Sequence, residues 1–95
     1  MTYELEFKKS ALKEWKKLGS TVQTQFKKKL IHIIEDPNIP SAKLSGATDL
    51  YKIKLRQASY RLVYAVNDQV VTVTVIAVGK RDKSSVYKGA MKRVD

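Results

Sequence analysis

Ninety-five residues suggest one domain, residues 1–95, with a single modest core. Nineteen Lys and Arg stand against nine Asp and Glu, and the resulting +10 favours a polyanionic partner: RNA, DNA, an anionic membrane or an acidic protein. An apolar fraction of 43% argues against general disorder, no apolar run reaches membrane-spanning length, and the lack of cysteine excludes disulfides and thiol catalysis and fits a reducing cytoplasm.

The first segment, "TYELEF", alternates Tyr3, Leu5 and Phe7 with polar neighbours and reads as a strand. "KKSALKEWKKLG" sets Ala11, Leu12, Trp15 and Leu18 at helical spacing, with Trp15 as a core residue and Gly19 as a stop that tolerates positive φ. Ser20 is then expected to cap a second helix, with Gln23 in the capping-box position. In "STVQTQFKKKLIHIIED" the stripe is Val22, Phe26, Leu30, Ile33 and Ile34, which leaves Lys27, Lys28 and Lys29 mostly in water. Pro37 ends this helix and opens the loop "PNIPSAKLSGATD".

Three strands follow. "LYKIKLR" and "YRLVYAV" are separated by "QAS", a hairpin connection, and Asn67-Asp68 suits another tight turn. "QVVTVTVIAVG" is rich in β-branched residues and reads as a central strand. Asp82 is placed to cap a last helix over residues 83–94, which Gly89 weakens. The order β-α-α-β-β-β-α defines an α+β domain with helices packed on a mainly antiparallel, four-stranded sheet.

The hairpin stretch "YKIKLRQASYRLVY", residues 51–64, holds Lys52, Lys54, Arg56 and Arg61 and no acid. Strand alternation sends Tyr51, Ile53, Leu55, Tyr60, Leu62 and Tyr64 toward the helices and the cations to the opposite, uncovered face. Stacking like charges on adjacent strands is unfavourable unless something anionic sits there, although a merely solvated face is the competing explanation. A second stretch, "VGKRDKSSVY", places Lys80 and Arg81 at a strand end and Tyr87 in the following helix. Together these groups suit a phosphodiester flanked by a base that stacks. His32 has no acidic partner in a shared motif and reads as a structural residue. The absence of a His/Cys cluster, a paired acidic motif or a Gly-rich phosphate loop leaves metal hydrolases and nucleotide enzymes unsupported, so no metal or cofactor is expected.

With these stretches in hand, the sequence resembles the RelE toxins of bacterial toxin–antitoxin pairs. "ALKEWKKLGS", "KLSG", "YKIKLR", "YRLVY", "VGKR" and the Tyr87 helix occur in the family order over essentially the whole chain. The resemblance implies a RelE-like, microbial-RNase-like fold and a metal-independent endoribonuclease. Its substrate would be mRNA in the ribosomal A site, against 16S rRNA. Attack by a ribose 2′-hydroxyl would leave a 2′,3′-cyclic phosphate and a 5′-hydroxyl. It further implies a RelB-like antitoxin with an acidic segment that covers the last helix.

Residue by residue, the resemblance casts Lys54 as general base and Lys52 as a charge stabiliser. Arg61 would bind the phosphate, Arg81 would assist the leaving 5′-oxygen, and Tyr87 would stack on or orient the mRNA. Arg56, Lys80 and Lys83 complete the RNA-binding set. Neighbouring cations disfavour the charged form of a lysine, which gives the acid-free cluster a purpose. Two departures stand out. Ser59 occupies a place where many relatives have glycine before "YR", and Ser45 replaces a commonly basic residue. Two other readings compete: a ParE-like toxin that inhibits a protein target such as DNA gyrase, and a simple RNA-binding module.

Overall fold

The computed structural model describes residues 2–44, 49–55 and 59–80. In chain order these form β1 (Glu4–Phe7), α1 (Lys9–Lys16), α2 (Ser20–Ile33), a 3-10 turn (Pro40–Ala42), β2 (Leu50–Leu55), β3 (Tyr60–Asn67) and β4 (Thr72–Lys80). The helix expected over 83–94 lies outside the described residues. The sheet order is β1-β4-β3-β2, so the β-branched β4 is central, as its composition predicts. β1 joins it in parallel, and the other two pairings are antiparallel.

Both helices pack on one face of this sheet. Ala11 and Trp15 of α1 and Phe26, Leu30 and Ile33 of α2 meet Tyr51, Ile53, Leu55, Leu62, Tyr64, Val73, Val75 and Val78. Trp15 sits between Phe7, edge-on at 5.2 Å, and Phe26 at 6.1 Å. Each fully buried large apolar side chain here contributes about 1.5–3 kcal/mol relative to leaving it in water. Lys27, Lys28 and Lys29 remain exposed on the outer side of α2.

The link between the helices differs from its expected form. Gly19 is the N-cap of α2, with an extended backbone at φ −66° and ψ 155°, and Ser20 is the first helical residue. No side chain caps the helix. Gln23 instead reaches back to the carbonyl of Trp15, bonding the two helices at 2.8 Å. With only Lys17–Gly19 between the helices, the capping side chain is replaced by this cross-link.

Two further differences follow from the sheet. Val70 and Val71, expected within the third strand, belong to the β3–β4 turn. That turn is held by Asn67, whose Oδ1 accepts the N–H groups of Gln69 and Val70. Val71 takes φ 51°, a costly angle for a β-branched residue, and its carbonyl accepts the Glu4 N–H that starts the β1–β4 pairing. In addition, the β3–β4 register shifts between Val63 and Tyr64, so Val63 opposes Ala77 while Tyr64 opposes Val75 and Ile76 is the extra residue.

Candidate active site

The bulge determines which residues share the face opposite the helices. Beyond it, Val78 pairs with Leu62 on the helix side, while Ala77 and Gly79 fall with Val63 and Arg61 on the other side. Across the sheet this creates a rung that runs Lys54, Arg61, Gly79, next to a rung that runs Lys52, Val63, Ala77. Lys52 and Arg61 are half-buried and Lys54 is exposed. The guanidinium Nε of Arg61 is buried, so its charged fork is held close to the sheet. Three expected site residues therefore meet on adjacent rungs of one face.

Gly79 closes the β-branched segment "QVVTVTVIAVG". The ladder places it within β4, directly opposite Arg61. A glycine inside a strand often marks the close approach of another chain or ligand.

Lys80 is placed differently from the other cations. It pairs with Tyr60, so strand alternation assigns it to the helix side at the end of β4, away from the Lys54–Arg61 rung. The bulge causes this, because one inserted residue inverts the facing of everything after it. Arg56, Arg81, Lys83 and Tyr87 lie outside the described residues, as does Ser45. Ser59, at the foot of the hairpin, has φ 56°. That is the left-handed region glycine occupies freely and a residue with a side chain occupies at a cost.

The face is less bare than the alternation of the hairpin suggested. Leu44, Leu50, Val63, Ile76 and Ala77 form a second buried cluster on it, with Ala65 packed alongside. Lys43 bridges to Tyr51, and the Leu44 N–H bonds the Leu50 carbonyl, folding the loop over the edge of β2. The cationic rungs thus occupy the hairpin half of the face, and apolar packing occupies the rest. The signal was present in the unbroken apolar runs "LVYAV" and "VIAV", which indicate burial on both faces.

The other end of the sheet is organised by tyrosines. Tyr51 and Tyr64, partners in the ladder, stack with centroids 5.3 Å apart and planes 12° apart. The Tyr64 hydroxyl donates to the Pro37 carbonyl and the Tyr51 hydroxyl to Asn38 Oδ1. Asn38 and Tyr3 in turn donate to Asp68. Burial raises the Tyr64 phenol far above its ordinary range. Burial, then the nearby charges of Asp68 and Asp49, raises Tyr51. The hydrogen bonds from Tyr3 and Asn38 hold the Asp68 carboxyl below its usual range, and the same bond to Asp68 raises Tyr3.

Comparison with known proteins agrees with this fold. A family model described as the ParE toxin of the type II toxin–antitoxin system parDE matches residues 5–84. Over 94 residues, 99% of each chain, the sequence is 57% identical to the mRNA interferase toxin RelE of Escherichia coli K12. The chain belongs to the RelE/ParE toxin family. Its structure matches a double arginine-to-alanine variant of E. coli RelE in the free state, with a TM-score of 0.93, 56% identity and full coverage of both chains. It also matches the toxin–antitoxin complex RelBE of E. coli, with a TM-score of 0.82 and 57% identity over 85% of this chain and 99% of that one.

Proposed function

We propose that this protein is the toxin of a type II toxin–antitoxin pair and an mRNA endoribonuclease, with the sheet face of Lys52, Lys54 and Arg61 as its catalytic surface. The observation that carries the reading is the rung joining Lys54 to Arg61 beside Gly79. It sits in a chain 57% identical, end to end, to an mRNA interferase. That identity favours the nuclease over the ParE-like, gyrase-directed alternative.

In this reading residues 1–95 act as one toxin domain in the cytoplasm, where ribosomes and a RelB-like antitoxin are its partners. Lys54 takes the proton of a ribose 2′-hydroxyl. The 2′-oxygen bonds to the adjacent phosphorus, the bond to the 5′-oxygen breaks, and that oxygen leaves with a proton. Lys52 and Arg61 face the phosphoryl oxygens as negative charge builds on them, where fixed donors act most strongly. Arg81 is assigned to the leaving oxygen and Tyr87 to the mRNA base, with Arg56 and Lys83 along the RNA; Lys80, on the helix side of the strand end, adds only its longer-range charge.

This cation set binds a phosphate but does little to align it. In-line attack needs the 2′-oxygen, phosphorus and 5′-oxygen nearly collinear, and such positioning contributes up to roughly 7–11 kcal/mol. The ribosomal A site supplies the alignment. The test compares one short mRNA, free and programmed into ribosomes with an empty A site, at saturating toxin. Cleavage to a new 5′-hydroxyl end only on the ribosome is expected. Equal rates in both states would overturn the requirement for the ribosome, and no new end in either would overturn the nuclease reading.

A further inference from the structure

One cavity extends beyond the residues used by the chemistry above. A cleft of about 350 Å³ lies between the C-terminal half of α2, the 3-10 turn and β2. That volume is in the range of small-ligand sites. Its floor includes Ile39 and Ile53, and its rim carries Lys29, His32, Lys52 and Lys54. Among the described residues, no Asp or Glu lines it. An apolar floor under an acid-free, cationic rim excludes a cationic ligand and suits a flat, uncharged ring that carries an anion.

Two of the rim residues have a second role. Lys52 and Lys54 belong to the rungs of the proposed catalytic face, while Ile53 between them belongs to the helix-side core. The cleft therefore runs round the outer edge of β2 from the helix side to the cationic face. The two lysines stand about 7 Å apart along the strand, so they can serve one extended anion on both sides of that edge.

We propose that this cleft is a nucleotide subsite, which takes the base against Ile39 and Ile53 and a backbone phosphate between Lys29, His32 and the two lysines. It seats a nucleotide that neighbours the scissile phosphate, and the single strand bends over β2 to reach it. That the strand is one the protein cuts rests on the proposed function; binding in the cleft does not. Aromatic bases on apolar or aromatic surfaces combined with cations on the backbone are the general recipe for single-stranded RNA.

The test uses the full chain and a short RNA with 2′-O-methyl groups throughout, which cannot be cut by 2′-attack. NMR should show the Ile39 and Ile53 amides and the His32 ring shifting on titration. Lys29→Ala with His32→Ala should weaken binding roughly tenfold, on the scale of one lost base or phosphate contact. Lys16→Ala with Lys17→Ala, which removes exposed charge from the C-terminal end of α1 and its cap, should change it much less. Equal losses in the two double variants would show diffuse attraction only and overturn the proposal. So would shifts confined to the Lys54–Arg61 face. If a glutamate-rich peptide moves the same signals with equal affinity, the cleft is a site for acidic protein and the nucleotide assignment is wrong. RNA that binds in the cleft of a protein that cuts no ribosomal mRNA would sustain this inference while removing the proposed function.

Discussion

One ladder, β2 with β3, carries two cross-strand pairs that solve opposite problems. Tyr51 and Tyr64 stack, face the helices and place both hydroxyls on acceptors. Three residues further along β2, Lys54 and Arg61 oppose one another on the other face, two like charges side by side. The first pair adds stability through burial and hydrogen bonding. The second costs some, because directly opposed like charges repel. An arrangement that is unfavourable alone and fixed by its neighbours is what a site for an anion requires. The stabilising network at one end lets the other end keep its repulsion.

The sharpest way to break this comparison is to remove one member of each pair and read activity and stability separately. Lys54→Ala should lower single-turnover cleavage of ribosome-bound mRNA by about 100- to 10,000-fold, the usual contribution of a positioned base. Its melting temperature should change little, because the residue is exposed. A variant that cuts at the wild-type rate removes Lys54 from the chemistry.

Tyr64→Ala is the mirror experiment. Tyr64 is wholly buried, stacked and bonded to Pro37. Truncation should cost about 3–5 kcal/mol, a large share of the roughly 5–15 kcal/mol that holds a domain together. Denaturant unfolding measures the loss. A cost below about 1 kcal/mol would show that the tyrosine end is not where stability is concentrated.

The two ends also differ in how far the sequence revealed them. The helix stripe of Val22, Phe26 and Leu30, the hairpin and the central place of β4 were legible because each follows a local period. The cationic face was legible for the same reason, since Lys52 and Lys54 share one parity. What failed depends on non-local events. The bulge at Ile76 moves Lys80 to the helix side, and no composition signal marks a single inserted residue. Gly19 caps α2, and the Gln23 side chain bonds the carbonyl of Trp15 on the other helix. The Tyr3–Asp68–Asn38–Tyr51 chain joins the residue before β1, the β3–β4 turn, the loop after α2 and β2, contacts up to 65 residues apart. Only the covered half of the cationic face could have been found, from the unbroken apolar runs at 62–66 and 75–78.

A smaller effect is expected at the hairpin foot. Ser59 holds φ 56°, where a side chain is strained and glycine is not. Ser59→Gly should stabilise the protein by about 0.5–1 kcal/mol, the relief of strain exceeding the added freedom of the unfolded chain. Cleavage should change little if the hairpin already holds Lys54 and Arg61 in place. Destabilisation by thermal melt would mean that the serine side chain compensates its own backbone.

The smallest effect belongs to Asp68, and it tests whether the tyrosine end is an electrostatic device as well as a packed one. Its carboxyl is held below the usual carboxylate range by hydrogen bonds from Tyr3 and Asn38. A group with a depressed folded value stabilises above its unfolded value and loses that contribution as pH falls through the folded one. The wild type should therefore lose this part of its stability on acidification below about pH 4. Tyr3 is raised by the same bond, so its contribution is present below the ordinary tyrosine range and lost as pH climbs through the raised value. Asp68→Asn keeps an acceptor oxygen but removes the charge, and should flatten both limbs of the stability curve, the acid limb first. The effect is modest because the pair lies in water, where screening weakens it. Cleavage at neutral pH should be unchanged, since Asp68 stands at the far end of β3 from Arg61. Urea midpoints from acid to alkaline pH measure the two limbs. Superimposable curves for variant and wild type would mean that the Tyr3–Asp68 contact is geometry without energetic weight, and that only the buried half of the network, around Tyr64, distinguishes this end of the sheet from the other.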